Sequence, residues 1–385
     1  MVKREAVGGR RDAVGGRREA VSENSHVSNK QSPVPPPASH LPPPNPFTEI
    51  RMTSLHALRG ANFWSERPVT RMDLVIGAFE DLSSAQVPGF AEALSEAMPG
   101  LMEHRCSIGE RGGFLTRLRR GTYAPHIIEH VALELQTMAG HDVGFGKTRG
   151  GDAPDEYTMV FEHRHGGVGL RAAALALDAV QKAFAGELAS VDYAVTELRA
   201  LTESPDIPDL HQHVRCGITG GDHRHETREE LTRRGLPTDD IVVDVAPSYI
   251  LQAGLPYSRS DIAIILDARP TDVPERYQET ERARKLVSVL ADAVPRTGTV
   301  IAPAKEWEVQ DYARNGGCGV AIFATDDGVT ENDRRVARAV ATVQRGRIVI
   351  ERAGYSADAG PLRDDIPPVA QVTAALAMSI IGNGS

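Results

Sequence analysis

Cysteine is scarce in this chain: Cys106, Cys216 and Cys318 lie far apart with no CxxC spacing, which leaves neither a disulfide framework nor a thiolate zinc site to read and fits a reducing cytoplasm. Long apolar runs are missing too. No stretch approaches the roughly 20 residues that a membrane helix needs, and the N-terminus has no hydrophobic signal-peptide core, so a soluble cytoplasmic protein without a membrane partner is expected. Positive charge is in deficit. The formal net charge of −9 gives no general attraction to phosphate backbones, which argues against a nucleic-acid partner and favours cationic over anionic substrates. Aromatic residues make up only 5% of the chain, yet 41% apolar content over 385 residues can bury two ordinary cores, and two domains are expected.

The first fifty residues repeat a heptad, REAVGGR, RDAVGGR, REAV, and then turn Pro-rich in SPVPPPASHLPPPNP. Neither segment can bury a core, so residues 1–51 are expected to be a disordered low-complexity tail, or translated upstream sequence if the true start is Met52. Over 52–190 apolar runs such as MDLVIGAF and YTMVFE alternate with helical stretches at 90–102, 122–139 and 169–185, the pattern of an α+β domain. A polar, Pro-bearing linker is expected at 191–212. Over 213–385 the strand-like runs CGIT, DIVVDVA, DIAIIL, GTVIAP and GVAIFA alternate with helical segments such as 275–294 and 331–343, which predicts an α/β, Rossmann-like domain with an open, largely parallel sheet.

The most informative local pattern is HIIEH at 126–130, near the start of an amphipathic helix. One turn puts His126 and His130 about 40° apart in projection with Glu129 beside them, while Ile127, Ile128, Val131, Leu135 and Met138 form the core face. Two imidazoles so spaced can hold one Zn²⁺ while a carboxylate takes a proton from water, and HxxEH is the inverted zincin pattern. Pro125 suits the first turn. A third ligand is required. Glu134, one turn on, is a candidate ligand or an acceptor orienting His130, but a donor from another element is preferred, namely Glu162 at the end of the strand-like YTMVFE. A merely solvated polar face is the competing reading. In the second domain His211, His213, His223 and His225 form a His-rich tract whose spacing fits no fixed metal motif.

Several strings together resemble cyanophycin synthetase, a family that polymerises aspartate and arginine without a ribosome. They are LRGANFWS (58–65), VPGF (87–90), EHRCSIGERGGFL (103–115), GTYAPHIIEHVALELQTMAGHDVGFGKTR (121–149) and YTMVFE (157–162). The family continues into an ATP-grasp domain, which has no counterpart here; instead the chain passes into a region that looks like a Mur-ligase central domain. In IVVDVAPSYILQAGLPYSRSDIAIIL (241–266) Asp244 falls where the family has its acidic metal-binding residue, but Pro247, Ser248 and Tyr249 replace the Arg-Gly-Gly after it. The phosphate-loop candidate GITGGDHRHET (217–227) keeps glycines but has no lysine to reach phosphates, and His223, Arg224 and His225 are poor substitutes. Asp272 stands where the family has a histidine, IAPAKEW (301–307) lacks the acidic pair of the nucleotide-proximal turn, and DDIPPVAQVTAALAMSIIG (364–382) is similar to the end of the central domain. The Mur C-terminal domain is absent. The resemblance therefore implies a degenerate ligase domain, without ATP as a cofactor, serving as scaffold or substrate-binding module.

Some members of the family are thought to carry a hydrolytic site in the N-terminal domain, and retention of HIIEH beside loss of ligase parts implies a zinc-dependent peptidase or amidohydrolase acting on a peptide such as an Asp-Arg chain. The expected roles are metal ligands His126, His130 and Glu162 or Glu134, general base Glu129, and Arg111 and Arg149 as oxyanion cation or substrate carboxylate clamp. A homo-oligomer is expected and a separate ligase is a candidate partner. Two other classes stay open: a non-catalytic subunit that binds peptide and partners a ligase, and a residual ATP-dependent amide ligase.

Overall fold

Alternation of side chains along two strands decides the architecture of the first half. In β4 (Glu156–Glu162), Met159 and Phe161 enter one core and Val160 enters another; in β2 (Val69–Val75), Met72 and Leu74 belong to the first core and Val69 to the second. A sheet apolar on both faces must be covered on both, and it is. The computed structural model describes residues 44–382 apart from 209, 238, 327 and 353, so most of the expected tail lies outside the described residues.

The first half runs α1 (Pro46–Glu49), β1 (Arg51–Leu58), β2, α2 (Phe90–Ala97), α3 (Gly113–Arg120), α4 (Ala124–Met138), β3 (Gly146–Gly150), β4, α5 (Gly166–Ala185) and α6 (Asp192–Thr202). Its sheet has the order β1-β2-β4-β3 and is antiparallel throughout, with α4 and α5 packed on one face. The sequence expectation of an α+β unit holds. Two boundaries differ from the sequence reading. The expected tail reaches 51, but Ile50 is fully buried and Gln181 Nε2 on α5 donates to the Ile50 carbonyl at 2.8 Å. Residues 191–202, read as linker, carry α6, whose Ala194, Val195 and Leu198 join the first core.

The second half runs β5 (His211–Thr219), α7 (Arg224–Arg233), β6 (Val242–Asp244), α8 (Pro247–Ala253), β7 (Tyr257–Ile265), α9 (Thr280–Asp292), β8 (Thr299–Pro303), α10 (Trp307–Asn315), β9 (Gly319–Phe323), α11 (Glu331–Val336), β10 (Ala339–Gln344), β11 (Arg347–Arg352), β12 (Tyr355–Pro361) and α12 (Pro368–Ile381). The sheet order is β12-β11-β10-β9-β8-β7-β5-β6, parallel from β10 to β6, with an antiparallel meander at the other edge. Alternate residues of β7 enter different cores: Ala263 and Ile265 join that of α9, Ile262 and Ile264 that of α12. This is the expected open α/β sheet. The helix expected over 331–343 is corrected: α11 stops at Val336, and Val340, Thr342 and their alternating neighbours form β10, because pairing with β9 and β11 outweighs the local helical pattern.

The segment between β1 and β2 joins the halves. Phe63 meets Trp64 and Tyr277 edge-on at 5.1 and 5.2 Å between centroids, with Lys285 Nζ 4.6 Å above its ring. Asn62 ties the turn, its Oδ1 accepting from the Trp64 and Ser65 amides and its Nδ2 donating to the Arg67 carbonyl. Gly254 (φ +70°) lets the second half approach, since a Cβ there would lie 2.2 Å from the Arg59 carbonyl oxygen. Among the described residues no helix is long and apolar enough to cross a membrane.

Candidate metal centre

The helix α4 starts with Pro125 in its first turn, where a missing N–H costs nothing, and buries Ile127, Ile128, Val131 and Leu135 in the first core. That fixes its other face toward an open cleft of about 940 Å³ lined by His126, Glu129, His130 and Glu134 from α4, Cys106 from the turn before α3, and Gly146 and Thr148 from β3. His126, Glu129 and His130 thus line one cavity, while Ile127 and Ile128 face the core.

The residue that joins the two histidines in a metal-capable group is Cys106, not the expected Glu162. Cys106 Sγ lies 3.3 Å from His126 Nε2, and one ligand atom from each of Cys106, His126 and His130 can be chosen so that all fall within 4.8 Å of one another; this is the metal-capable His/Cys/Asp/Glu group among the described residues. Cys106 takes a left-handed φ of +53° in the turn 106–108, a conformation that costs a non-glycine residue about 1–2 kcal/mol. Glu162 points elsewhere for a reason of parity. Met159 and Phe161 face α4, so Glu162 emerges on the opposite face, where it holds Arg67 (3.0 Å) and Arg164 (3.3 Å) and accepts from the Gly144 and Phe145 amides. Burial alone would raise its pKa, but those partners hold it below the usual carboxylate range. Glu134 does not join the group; its Oε2 lies 3.0 Å from His104 Nε2.

His104, unremarked in the sequence reading, completes a relay. Its Nδ1 sits 2.9 Å from His130 Nδ1, and Thr122 Oγ1 sits 2.9 Å from His126 Nδ1. Both α4 histidines therefore have Nδ1 engaged, the arrangement by which outer partners orient metal-ligating imidazoles. Phe114 stacks on His130 at 4.0 Å between centroids and walls it from solvent. Burial, then the Arg117 charge, lowers His126 to about 4; burial, with His126, His104 and Arg117, lowers His130 to about 2, so both rings are neutral and able to ligate at pH 7. Cys106, His126 and His130 would hold a borderline-soft divalent ion by their donor types.

Glu129 accepts from Thr148 Oγ1 at 2.5 Å, and burial pushes its pKa up to about 7 against the lowering effects of Thr148 and Arg117. A carboxyl poised near neutrality fits proton transfer. Neither arginine expected as a clamp lies in the cleft: Arg111 is an exposed partner of Glu103, and Arg149 leaves β3 on the face opposite Thr148, beside Lys285. The cations that do line the cleft are Arg105, Arg117 and Lys147.

The second sheet has its own arrangement at the β5–α7 turn. The Gly221 amide donates to Asp267 Oδ1 at 3.0 Å, and the Arg224 guanidinium donates to the carbonyls of Gly220 and Gly221. Asp244 pairs with Arg228 at 2.7 Å and Asp272 accepts from the Ser248 hydroxyl. The His-rich tract disperses, with His213 on Asp261, His223 on Glu226 and His225 on Glu229.

Residues 71–185, which include the whole cleft, match the family model of the cyanophycin synthase-like N-terminal domain. The cyanophycin synthetase of Trichormus variabilis is 32% identical over 353 residues, covering 87% of this chain and 37% of the relative; that of Synechocystis sp. is 44% identical over 160 residues, 40% of this chain and 17% of the relative. Among solved structures, the UDP-N-acetylmuramate:L-alanyl-gamma-D-glutamyl-meso-diaminopimelate ligase from Neisseria meningitides aligns at 14% identity and TM-score 0.34, over 51% of this chain and 72% of that one. The chain is thus a homologue of the cyanophycin synthetases along 87% of its own length, built on a cyanophycin synthase-like N-terminal domain and spanning 37% of the length of the Trichormus variabilis relative.

Proposed function

We propose that this chain binds a peptide or isopeptide in the α4 cleft and hydrolyses an amide bond there with a divalent ion, Zn²⁺ by its donor chemistry, held by Cys106, His126 and His130. One observation carries the reading: one ligand atom from each of Cys106, His126 and His130 falls within 4.8 Å of the others at the wall of an open cleft, with Thr122 and His104 engaging the two imidazoles at Nδ1. The ion would polarise the amide carbonyl and ease ionisation of water. Glu129, whose burial raises its carboxyl to about 7, accepts the water proton and returns it to the leaving nitrogen. Thr148 fixes that carboxyl. An Asp-Arg chain of the cyanophycin type is the substrate suggested by the names of the relatives. The test is an assay of β-Asp-Arg chains and ordinary peptides with the full chain, its Glu129→Gln variant, and chelated and metal-restored protein. Cleavage that Glu129→Gln and chelation both abolish supports the proposal; cleavage indifferent to both, or none with any metal, overturns it.

The homology itself favours a second reading, in which the chain binds the polymer without cutting it and works beside a ligase. The β5–α7 turn supports a scaffold role for the second sheet, because Asp267 already accepts from the Gly221 amide that a phosphate would approach, and Arg224 is spent on the Gly220 and Gly221 carbonyls. Residual ATP-dependent ligation predicts heat on titrating ATP and Mg²⁺ into the protein, whereas the scaffold role predicts none.

A further inference from the structure

Arg117 faces the metal-capable group with no acid to hold. It leaves the last turn of α3 exposed, lines the same cleft as Cys106, His126 and Glu129, and donates from Nη1 to Ser107 Oγ at 2.6 Å; that hydroxyl lies 3.7 Å from Cys106 Sγ. Nearby arginines are matched differently: Arg111 is paired with Glu103 and Arg119 lies 4.0 Å from Glu92. Among the described residues no carboxylate forms an ion pair with Arg117, and its single hydrogen-bond partner there is a neutral hydroxyl. Two other cations reach the cleft, Lys147, whose position on β3 alternates with Thr148, and Arg105 at the exposed rim. Arg117 alone is anchored at one guanidinium nitrogen beside Cys106, with the rest of its planar fork free. Such a fork matches a carboxylate by two parallel hydrogen bonds.

Building on the hydrolase reading, we propose that Arg117 is a binding subsite for a substrate carboxylate within one residue of the reacting amide, so that the cleft selects amides bearing a neighbouring acid. A β-linked aspartyl residue presents such an acid through its α-carboxylate; a chain end presents one through its C-terminus. In both cases the group recognised is the same, and the site needs no rearrangement to take it, because the Ser107 bond already orients the guanidinium.

The test measures binding as well as turnover. The probe is β-aspartyl-arginine, compared with the same dipeptide amidated at the aspartyl α-carboxylate alone or at the arginyl C-terminus alone, by titration calorimetry on the intact metal-loaded chain carrying Glu129→Gln to stop turnover. One of the two amides should bind about tenfold to a hundredfold more weakly than the diacid, as loss of a charge-assisted hydrogen-bonded pair implies, and which one identifies the source of the carboxylate. Adding Arg117→Gln should erase that preference without moving the melting temperature, and Arg117→Lys should restore part of it. A preference that survives Arg117→Gln, or no preference for either carboxylate, overturns the subsite. Arg117-dependent binding without hydrolysis in the Glu129-bearing chain overturns the hydrolase reading and leaves the subsite standing. Hydrolysis blind to both carboxylates does the reverse.

Discussion

Gly146→Ala is a one-methyl perturbation aimed at Glu129 without touching a metal donor. A Cβ at Gly146 would lie 2.5 Å from Glu129 Oε1, 2.8 Å from Cγ and 2.9 Å from Cδ, so the whole carboxyl arm must turn, not its tip alone. Turning breaks the Thr148 bond to a buried acid, worth about 1.5–3 kcal/mol for a charged acceptor. Against this, alanine reduces the freedom of the unfolded chain and adds back about 0.4–1 kcal/mol. The loss wins by about 1–2 kcal/mol. Denaturant unfolding should show the midpoint fall at unchanged slope, turnover should drop by at least tenfold, and bound metal should stay at the wild-type level. A variant with undiminished turnover and stability would refute the placement of Glu129; one that loses its metal would refute the separation of base from ligands.

Glu129→Gln should raise the stability of metal-free protein above neutral pH. The folded carboxyl is pushed up from the ordinary range to about 7, so its ionisation opposes folding: the favourable contribution is complete below the unfolded value near 4.5 and is lost as pH rises through about 7. The variant should exceed wild type by on the order of 2–3 kcal/mol at pH 8, with the difference vanishing near pH 4, and equal profiles would contradict the burial argument. Thr122→Val should weaken metal binding about 10–100-fold, measured by competition with a chelator, by freeing the Nδ1 of His126; unchanged affinity would remove Thr122 from the site. Phe63→Ala should destabilise the chain by about 3–5 kcal/mol in denaturant titration, since that ring sits between Trp64 and Tyr277 where the halves meet, and a cost under 1 kcal/mol would deny the shared core.

Much of this fold was legible because its periods are simple. The HIIEH helix announced itself by Pro125 and its apolar stripe, and the parallel strands of the second half by short β-branched runs between turn residues. The failures are equally physical. Glu162 stands at the end of the strand-like YTMVFE, but strand parity sends it away from α4, and which face α4 covers is a fact of topology that YTMVFE does not contain. Cys106 was set aside for lack of a CxxC neighbour, although a thiol needs only a loop that returns it to the helix; EHRCSIGERGG gave a weak signal in placing His104 and Cys106 two residues apart before a Gly-rich turn. Arg117 was hidden by the arginines around it, and exposure and pairing, which distinguish it, are properties of the folded chain. β10 was lost to its helical-looking VARAVA, where pairing overruled propensity.

The central claim is that Cys106, His126 and His130 hold one divalent ion together. Elemental analysis of the purified full chain beside Cys106→Ala and the His126→Ala, His130→Ala double variant measures it directly. The account predicts close to one zinc per chain in the wild type, a marked deficit in Cys106→Ala and none in the double variant. Equal metal in all three, or none in a wild-type protein supplied with zinc, would contradict it.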